Sequence, residues 1–236
     1  MIVTSLEDTL VLVTQGDHAH LAAELLSLFR LPELVGHPRR ERLIRATREH
    51  DNGWRELDAA PPVDRGSGRP LGFRGVPGAL RREIWTRGSN RWRDNDPYVA
   101  LLITTHAIEL HHQHRGEDEW APWLEALEDL RRDLITDTSL ARDEIDADYA
   151  WLRLADTCSL ALCERQTGYF DVGGLRGHVE MDVLRLTPFP LAGRTTFRLM
   201  SRSIPHRAYD GDRALGNTLA ATRWERWSIS VAPDDL

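Results

Sequence analysis

Lysine is absent from this chain of 236 residues, and all 30 of its basic side chains are arginine. Arginine presents a planar fork of donors suited to carboxylate or phosphate and keeps its charge when buried, so local anion sites are open to it. An excess of positive charge is also lacking. Asp and Glu number 37 and the formal net charge is −7, which disfavours a chain that works by coating phosphate backbones. Nucleic acid is therefore excluded as the expected partner.

Cysteine is scarce. Cys158 and Cys163 are the only two, and their spacing inside one apolar helical run fits neither a zinc knuckle nor a redox pair. Both are read as core residues, the common habit of free cysteine. Long apolar runs are missing too: no stretch approaches the roughly 20 residues needed to span a membrane. The opening MIVTSLEDTLVLVTQGDHAH has neither a basic segment nor a cleavage site, so a cytoplasmic protein without a membrane partner is expected. No repeat or low-complexity segment is evident.

What is present is enough apolar material, 41% of residues, for one sizeable core extended by a small subdomain. The run Thr9 to Thr14 reads as a buried strand, and Gly16-Asp17 then turns the chain into a helix. That helix carries Leu21, Ala22, Leu25, Leu26 and Phe29 at helical spacing, with His18 directed inward from its first turn. A second helix is expected from about Pro38 to Leu57, with His50 continuing the apolar arc of Leu43, Ile44 and Ala46. Between Asp58 and Gly78, proline and glycine are too dense for helix or strand, and a loop of that length inside a compact domain is often a functional lid.

Helical patterning returns from Pro77 to Trp92, and Asp94-Asn95-Asp96-Pro97 caps another helix in which His106 interrupts the stripe of Val99, Leu102, Ile103 and Leu110. An exposed amphipathic segment from Glu117 to Leu134 precedes a long helix over Leu140 to Arg165 that holds Asp156 among Leu152, Ala155, Ser159 and Cys163. Beyond Gly168 the runs HVEMDVLRL, RTTFRLMSRSI and RWSISVA predict a small antiparallel sheet. The expected fold class is mainly α, with a helical domain over 1–168 and a small β-rich extension over 169–236 packed on it.

Five polar residues interrupt apolar faces: His18, the adjacent pair His50 and Asp51, His106 and Asp156. Imidazole nitrogen and carboxylate oxygen suit divalent iron, manganese or zinc, and one such cation would compensate several buried groups at once. Each residue also has a plainer reading. His50-Asp51-Asn52-Gly53 makes an ordinary helix ending, Asp156 fits an internal salt bridge to Arg48, Arg153 or another arginine, and His106 fits a hydrogen bond to a carbonyl. His20 competes with His18 as first ligand. The cluster His111, His112 and His114 reads as a solvated helix end, since His111 does not share the face of His106 at about 100° per residue.

The order His18, His50-Asp51, Asp156 over successive helices resembles the HD superfamily of metal-dependent phosphohydrolases. The strings QGDHAHLA, REHDNGW, DAAP, DPYVALL and LADTCSLALC are similar to the bacterial domain-of-unknown-function family 3891, which brings no assigned reaction. The HD resemblance implies an HD-like helical bundle, His18, His50, Asp51 and Asp156 as metal ligands, and His106 as an additional histidine.

The expected function is hydrolysis of a small anionic substrate by metal-activated water, with phosphate ester as the class that the resemblance implies. Asp51 or Asp17 would orient the water, His106 would donate to the leaving group, and Arg65, Arg69 or Arg74 would clamp the anion. An HD-type di-iron oxygenase is the alternative. A non-catalytic scaffold binding through Trp54, Trp85, Trp92, Trp120 and Trp123 is a further one. A small molecule is the expected partner, and a homodimer the other expected association.

Overall fold

The computed structural model describes residues 1–234; the last two residues of the expected β-rich extension lie outside the described part. Thr9–Val13 (β2) is the strand its apolar run predicts, and it pairs on one side with Ile2–Ser5 (β1), four residues that escape a pattern reading by their shortness. Further strands follow at Phe170–Val172 (β3), Leu175–Glu180 (β4), Val183–Thr187 (β5), Thr195–Pro205 (β6) and Glu225–Pro233 (β7). All seven belong to one sheet, ordered β1-β2-β6-β7-β5-β4-β3.

The eleven-residue β6 is the spine of that sheet. Its first part, Thr195 to Ser201, pairs with β7, and its end, Arg202 to Pro205, passes on to β2. Every pairing is antiparallel except β5 with β7, which run parallel.

This overturns the expected fold class. The chain is neither all-α nor a mainly α HD-like bundle with a small C-terminal antiparallel subdomain. A seven-stranded mixed sheet is a major element and takes β1 and β2 from the opposite end of the chain. The reason lies in non-local pairing: strand patterns report which residues alternate, not which strands meet. The parallel β5–β7 pair needs a long crossover, and that crossover contains β6 and a helix at Gly211–Ala221.

The other helices run Gln15–Leu28 (α1), Pro32–Val35 (α2), Arg40–Glu49 (α3), Arg55–Ala59 (α4), Gly78–Trp92 (α5), Pro97–His111 (α6), Ala121–Thr138 (α7) and Arg142–Glu164 (α8), and the helix at 211–221 is α9. α1 starts slightly earlier than expected, because Thr14 caps it by accepting from the Asp17 N–H at 2.9 Å. The helix expected over 38–57 stops at Glu49, and a single 3-10 turn over Asn52–Trp54 separates it from α4. Asp96 and Pro97 open α6 as their types predict.

α8 joins the two halves of the core. It packs against α1, α3 and α6 on one side and against β1, β4 and β5 on the other. Leu152, Ala155, Cys158 and Leu162 from α8 share one continuous apolar cluster with Leu25 of α1, Leu102 of α6, and Leu186 and Val231 of the sheet. The fully buried Asp148 of α8 adds a polar tie. It accepts from Arg39 Nε at 2.7 Å and from the Tyr98 hydroxyl at 2.8 Å, and His37 Nε2 lies 2.8 Å away. Both cysteines are fully buried, and among the described residues no helix is long and apolar enough to cross a membrane.

Candidate metal centre

α3 ends where it does because of four residues, His50-Asp51-Asn52-Gly53, and the way that ending is held builds the site. The His50 ring folds back so that Nδ1 donates to the Thr47 carbonyl, 2.6 Å away, satisfying one of the helix's terminal acceptors. Asn52 Nδ2 donates to the carbonyls of Glu49 and Gly88, at 2.8 and 3.1 Å. Arg87 and Arg91 of α5 donate to the carbonyls of Gly53 and Asn52, at 2.8 and 2.7 Å. Gly53 must be glycine, since a Cβ there would collide with the Ile84 carbonyl oxygen and stand 3.1 Å from Gly88 N. The plain reading as a helix ending and the functional reading are thus the same structure: the turn is clamped onto α5, and His50 and Asp51 face the interior.

There they meet α1, α6 and α8. His18 Nε2 lies 3.0 Å from Asp156 Oδ1 and 3.6 Å from Asp51 Oδ2. His50 Nε2 lies 3.3 Å from Asp156 Oδ1 and 3.5 Å from Asp51 Oδ2. His106 Nε2 is 4.0 Å from the other Asp156 oxygen. The rings of His18 and His50 have centroids 5.3 Å apart, and those of His50 and His106 5.1 Å apart, each pair edge to face. His18, His50 and Asp51 form one group with ligand atoms close enough to hold a metal ion, and His50, His106 and Asp156 form another.

Each imidazole is oriented from behind through Nδ1. Ser159 Oγ lies 2.9 Å from His18 Nδ1, and the Tyr149 hydroxyl lies 3.2 Å from His106 Nδ1. With Thr47 behind His50, all three rings turn Nε2 toward the carboxylates, the pattern in which an outer hydrogen bond fixes the tautomer of a ligating histidine. His50 Nε2 is buried and aligned for a hydrogen bond to nothing, although both carboxylates are near. A buried polar atom left in that condition asks for a partner.

Electrostatics point the same way. Burial pushes Asp156 and Asp51 up, but the imidazoles win: His18 and His50 hold Asp156 well below the usual carboxylate range, and His50 followed by His18 lowers Asp51. His50 is driven well above its ordinary value, because Asp51 and Asp156 outweigh its burial. His106 is pushed down to about 4, by burial first and against the pull of Asp156. The raised His50 can offset only one of the two carboxylate charges, whereas a divalent cation would match both.

All five predicted residues converge, from α1, the end of α3, α6 and α8. His20 does not join them and is exposed on the outer face of α1. Asp156 has no arginine ion pair among the described residues, so the salt bridge to Arg48 or Arg153 does not form. The histidine cluster divides. His112 is exposed, whereas His111 is buried, donates from Nδ1 to the Ala107 carbonyl at 2.8 Å and stacks on Trp120 with ring centroids 5.0 Å apart. The solvated-end reading therefore fails for His111, because α6 ends in a 3-10 turn that brings Trp120 back over it.

A cavity of about 370 Å³ opens over the cluster, lined by His18, Asp51, His106 and Asp156 together with Trp54, Phe73 and Trp85. Two arginines reach it. Arg74 is neutralised by a two-point contact with Glu164, at 3.0 and 2.8 Å. Arg81, not among the arginines expected to clamp an anion, also lines it. Arg65 and Arg69 are exposed and form no part of the wall. The proline-rich loop is held in place, since Phe73 N–H donates to the Met1 carbonyl at 2.9 Å and Tyr209 N–H to the Gly68 carbonyl at 2.7 Å. Missed by sequence reasoning were the orienting groups Thr47 and Tyr149, whose types carry no signal of that role.

No curated protein and no solved structure matches the chain. The sequence profile of the family described as "Protein of unknown function (DUF3891)" matches residues 1–207, a span holding every member of the cluster and the sheet through β6, and the chain belongs to that family.

Proposed function

We propose that this protein is a metal-dependent hydrolase of a small anionic substrate, holding one divalent ion of iron, manganese or zinc through His18, His50, Asp51 and Asp156. The observation that carries the reading is His50 Nε2, a buried nitrogen with no hydrogen-bond partner, its tautomer set by Thr47, among two carboxylates and two further imidazoles. One ion rather than two is proposed because both candidate groups depend on that single nitrogen of His50. The order His, His-Asp, Asp resembles the HD phosphohydrolases, and that likeness supports phosphate ester as substrate class.

Bound there, the metal would supply a Lewis acid and a water of lowered pKa. The protein's own groups do the rest. Asp51 lies on the cavity side, where its carboxylate orients a water by accepting its hydrogen bond. His106, backed by Tyr149, faces the same space and directs the substrate toward the cluster. Trp54, Phe73 and Trp85 limit the access of bulk water.

The test is turnover of a panel of small phosphate monoesters and diesters by metal-loaded protein, by chelated protein and by Asp51→Asn. Hydrolysis that needs the metal and falls at least about 100-fold in the variant is expected, the scale of a positioned acid or base. Absence of hydrolysis across the panel with metal bound would overturn the reading.

A further inference from the structure

We propose that Arg81 is the anion anchor of the cavity and that it selects substrates carrying an oxyanion, carboxylate or phosphoryl, on an apolar or aromatic body. The inference rests on the metal-site reading for its charge count and on Arg81 itself for everything else.

Arg81 stands in the first turn of α5, half-buried in the wall of the same cavity that the cluster lines. Its Nη2 donates to the carbonyls of Arg74 and Val76, both at 3.0 Å, which fixes the plane of the guanidinium. Among the described residues no carboxylate lies within ion-pair distance of it, and its Nε is buried with no partner at all. Its neighbours differ. Arg74 is paired with Glu164, Arg82 with Glu119 at 3.7 Å, and Arg87 with Glu56 at 3.0 Å.

A plain structural role would be to hold the end of the proline-rich loop through those two carbonyls. Carbonyl binding needs donors but no charge, and a half-desolvated cation with no counter-ion is costly to keep. Arg40 is likewise half-buried, without an ion pair and with an unpartnered Nε, but it lies away from the cavity; such a cation in the cavity wall is what calls for an explanation. A ligand anion supplies one, because with Nη2 committed to the two carbonyls, Nη1 makes no hydrogen bond to the described residues and keeps its N–H groups for an oxyanion.

The charge count agrees. A divalent ion balances Asp51 and Asp156, leaving the positive charge of Arg81 to be met by the substrate. The rest of the wall sets the body of the ligand. Trp54 stands edge to face with both Phe73 and Trp85, ring centroids 6.4 Å apart in each pair, and Leu110 and Leu160 extend this apolar lining.

Trp54 and Trp85 make binding visible by tryptophan fluorescence. The probes are phenyl phosphate, benzoate and neutral benzyl alcohol, titrated into wild type, Arg81→Gln and Arg81→Lys, with metal content measured on each protein. The expected result is saturable quenching by at least one anionic probe, at least tenfold tighter than by benzyl alcohol. Arg81→Gln should weaken the anions at least tenfold and leave benzyl alcohol unchanged, while Arg81→Lys, which keeps the charge, should recover part of the loss. The tighter of the two anions tells a phosphoryl group from a carboxylate. Anion binding unchanged in Arg81→Gln, or no anion preference in wild type, overturns the proposal. Metal-free wild type that still binds anions through Arg81 supports this proposal while removing the hydrolase reading. Metal-loaded protein in which Arg81→Gln changes nothing does the reverse.

Discussion

His50 Nδ1 lies 2.6 Å from the carbonyl oxygen of Thr47, so the ring that ends α3 donates to the helix it terminates and turns its other nitrogen to Asp51 and Asp156. One hydrogen bond thus closes a helix and selects a tautomer. A ring flipped about this contact would present a carbon to the carboxylates, which makes the helix ending part of the site.

The same logic applies to Ser159, whose Oγ lies 2.9 Å from His18 Nδ1. Ser159→Ala removes that support and leaves the ligands themselves in place. Metal affinity measured by competition with a chromogenic chelator is expected to fall about 10- to 100-fold, the usual effect of losing an outer-shell partner. An unchanged affinity would remove Ser159 from the site.

Gly53 is expected to tolerate no side chain. Gly53→Ala drives a methyl group into the backbone of α5 at Ile84, so the turn carrying Asp51 must move away from α5. Overpacking of this kind costs about 1–3 kcal/mol. Urea unfolding should show that loss together with weakened metal binding, whereas Gly116→Ala, with nothing within reach of a Cβ, should show neither.

Acid should destabilise the protein through His111. Burial, helped by Arg81, holds its pKa near about 4, against 6.5 for the free side chain. Between those values the unfolded chain binds a proton that the folded chain refuses, so stability is fully present above the unfolded value and declines as pH falls toward the folded one. At about 1.4 kcal/mol per pKa unit the loss attributable to His111 is at most about 3.5 kcal/mol. Chemical denaturation of the chelated protein at pH 7 and pH ~4.5 checks it. His111→Phe should lose less stability on acidification than wild type does, and an identical pH dependence would contradict the assignment.

The site was more legible in sequence than the fold. His18, His106 and Asp156 stand out because each breaks an apolar helical face, and a buried polar group signals a partner whatever the tertiary arrangement. Arg81 gives no such signal, since only its place in the cavity wall, with a buried and unpartnered Nε, distinguishes it from the other arginines without a carboxylate partner. His111 was misplaced because its burial depends on Trp120, which the chain brings back only after α6 has ended. The sheet was underestimated for a similar reason. β1 has four residues, and the partner that incorporates β2 is the far end of β6, some 190 residues away by register. Alternation marks a strand locally, but pairing across that separation depends on tertiary packing, with β6 resting on α1 and α9.

The metal centre is tested most directly by the metal content of the purified chain, measured by elemental analysis beside its Asp156→Asn and His20→Ala variants. About one divalent ion per chain is expected in wild type and in His20→Ala, whose side chain faces away from the cluster, and little or none in Asp156→Asn. Wild-type protein that takes up no stoichiometric metal on reconstitution, or an Asp156→Asn variant that keeps its ion, would contradict the metal centre.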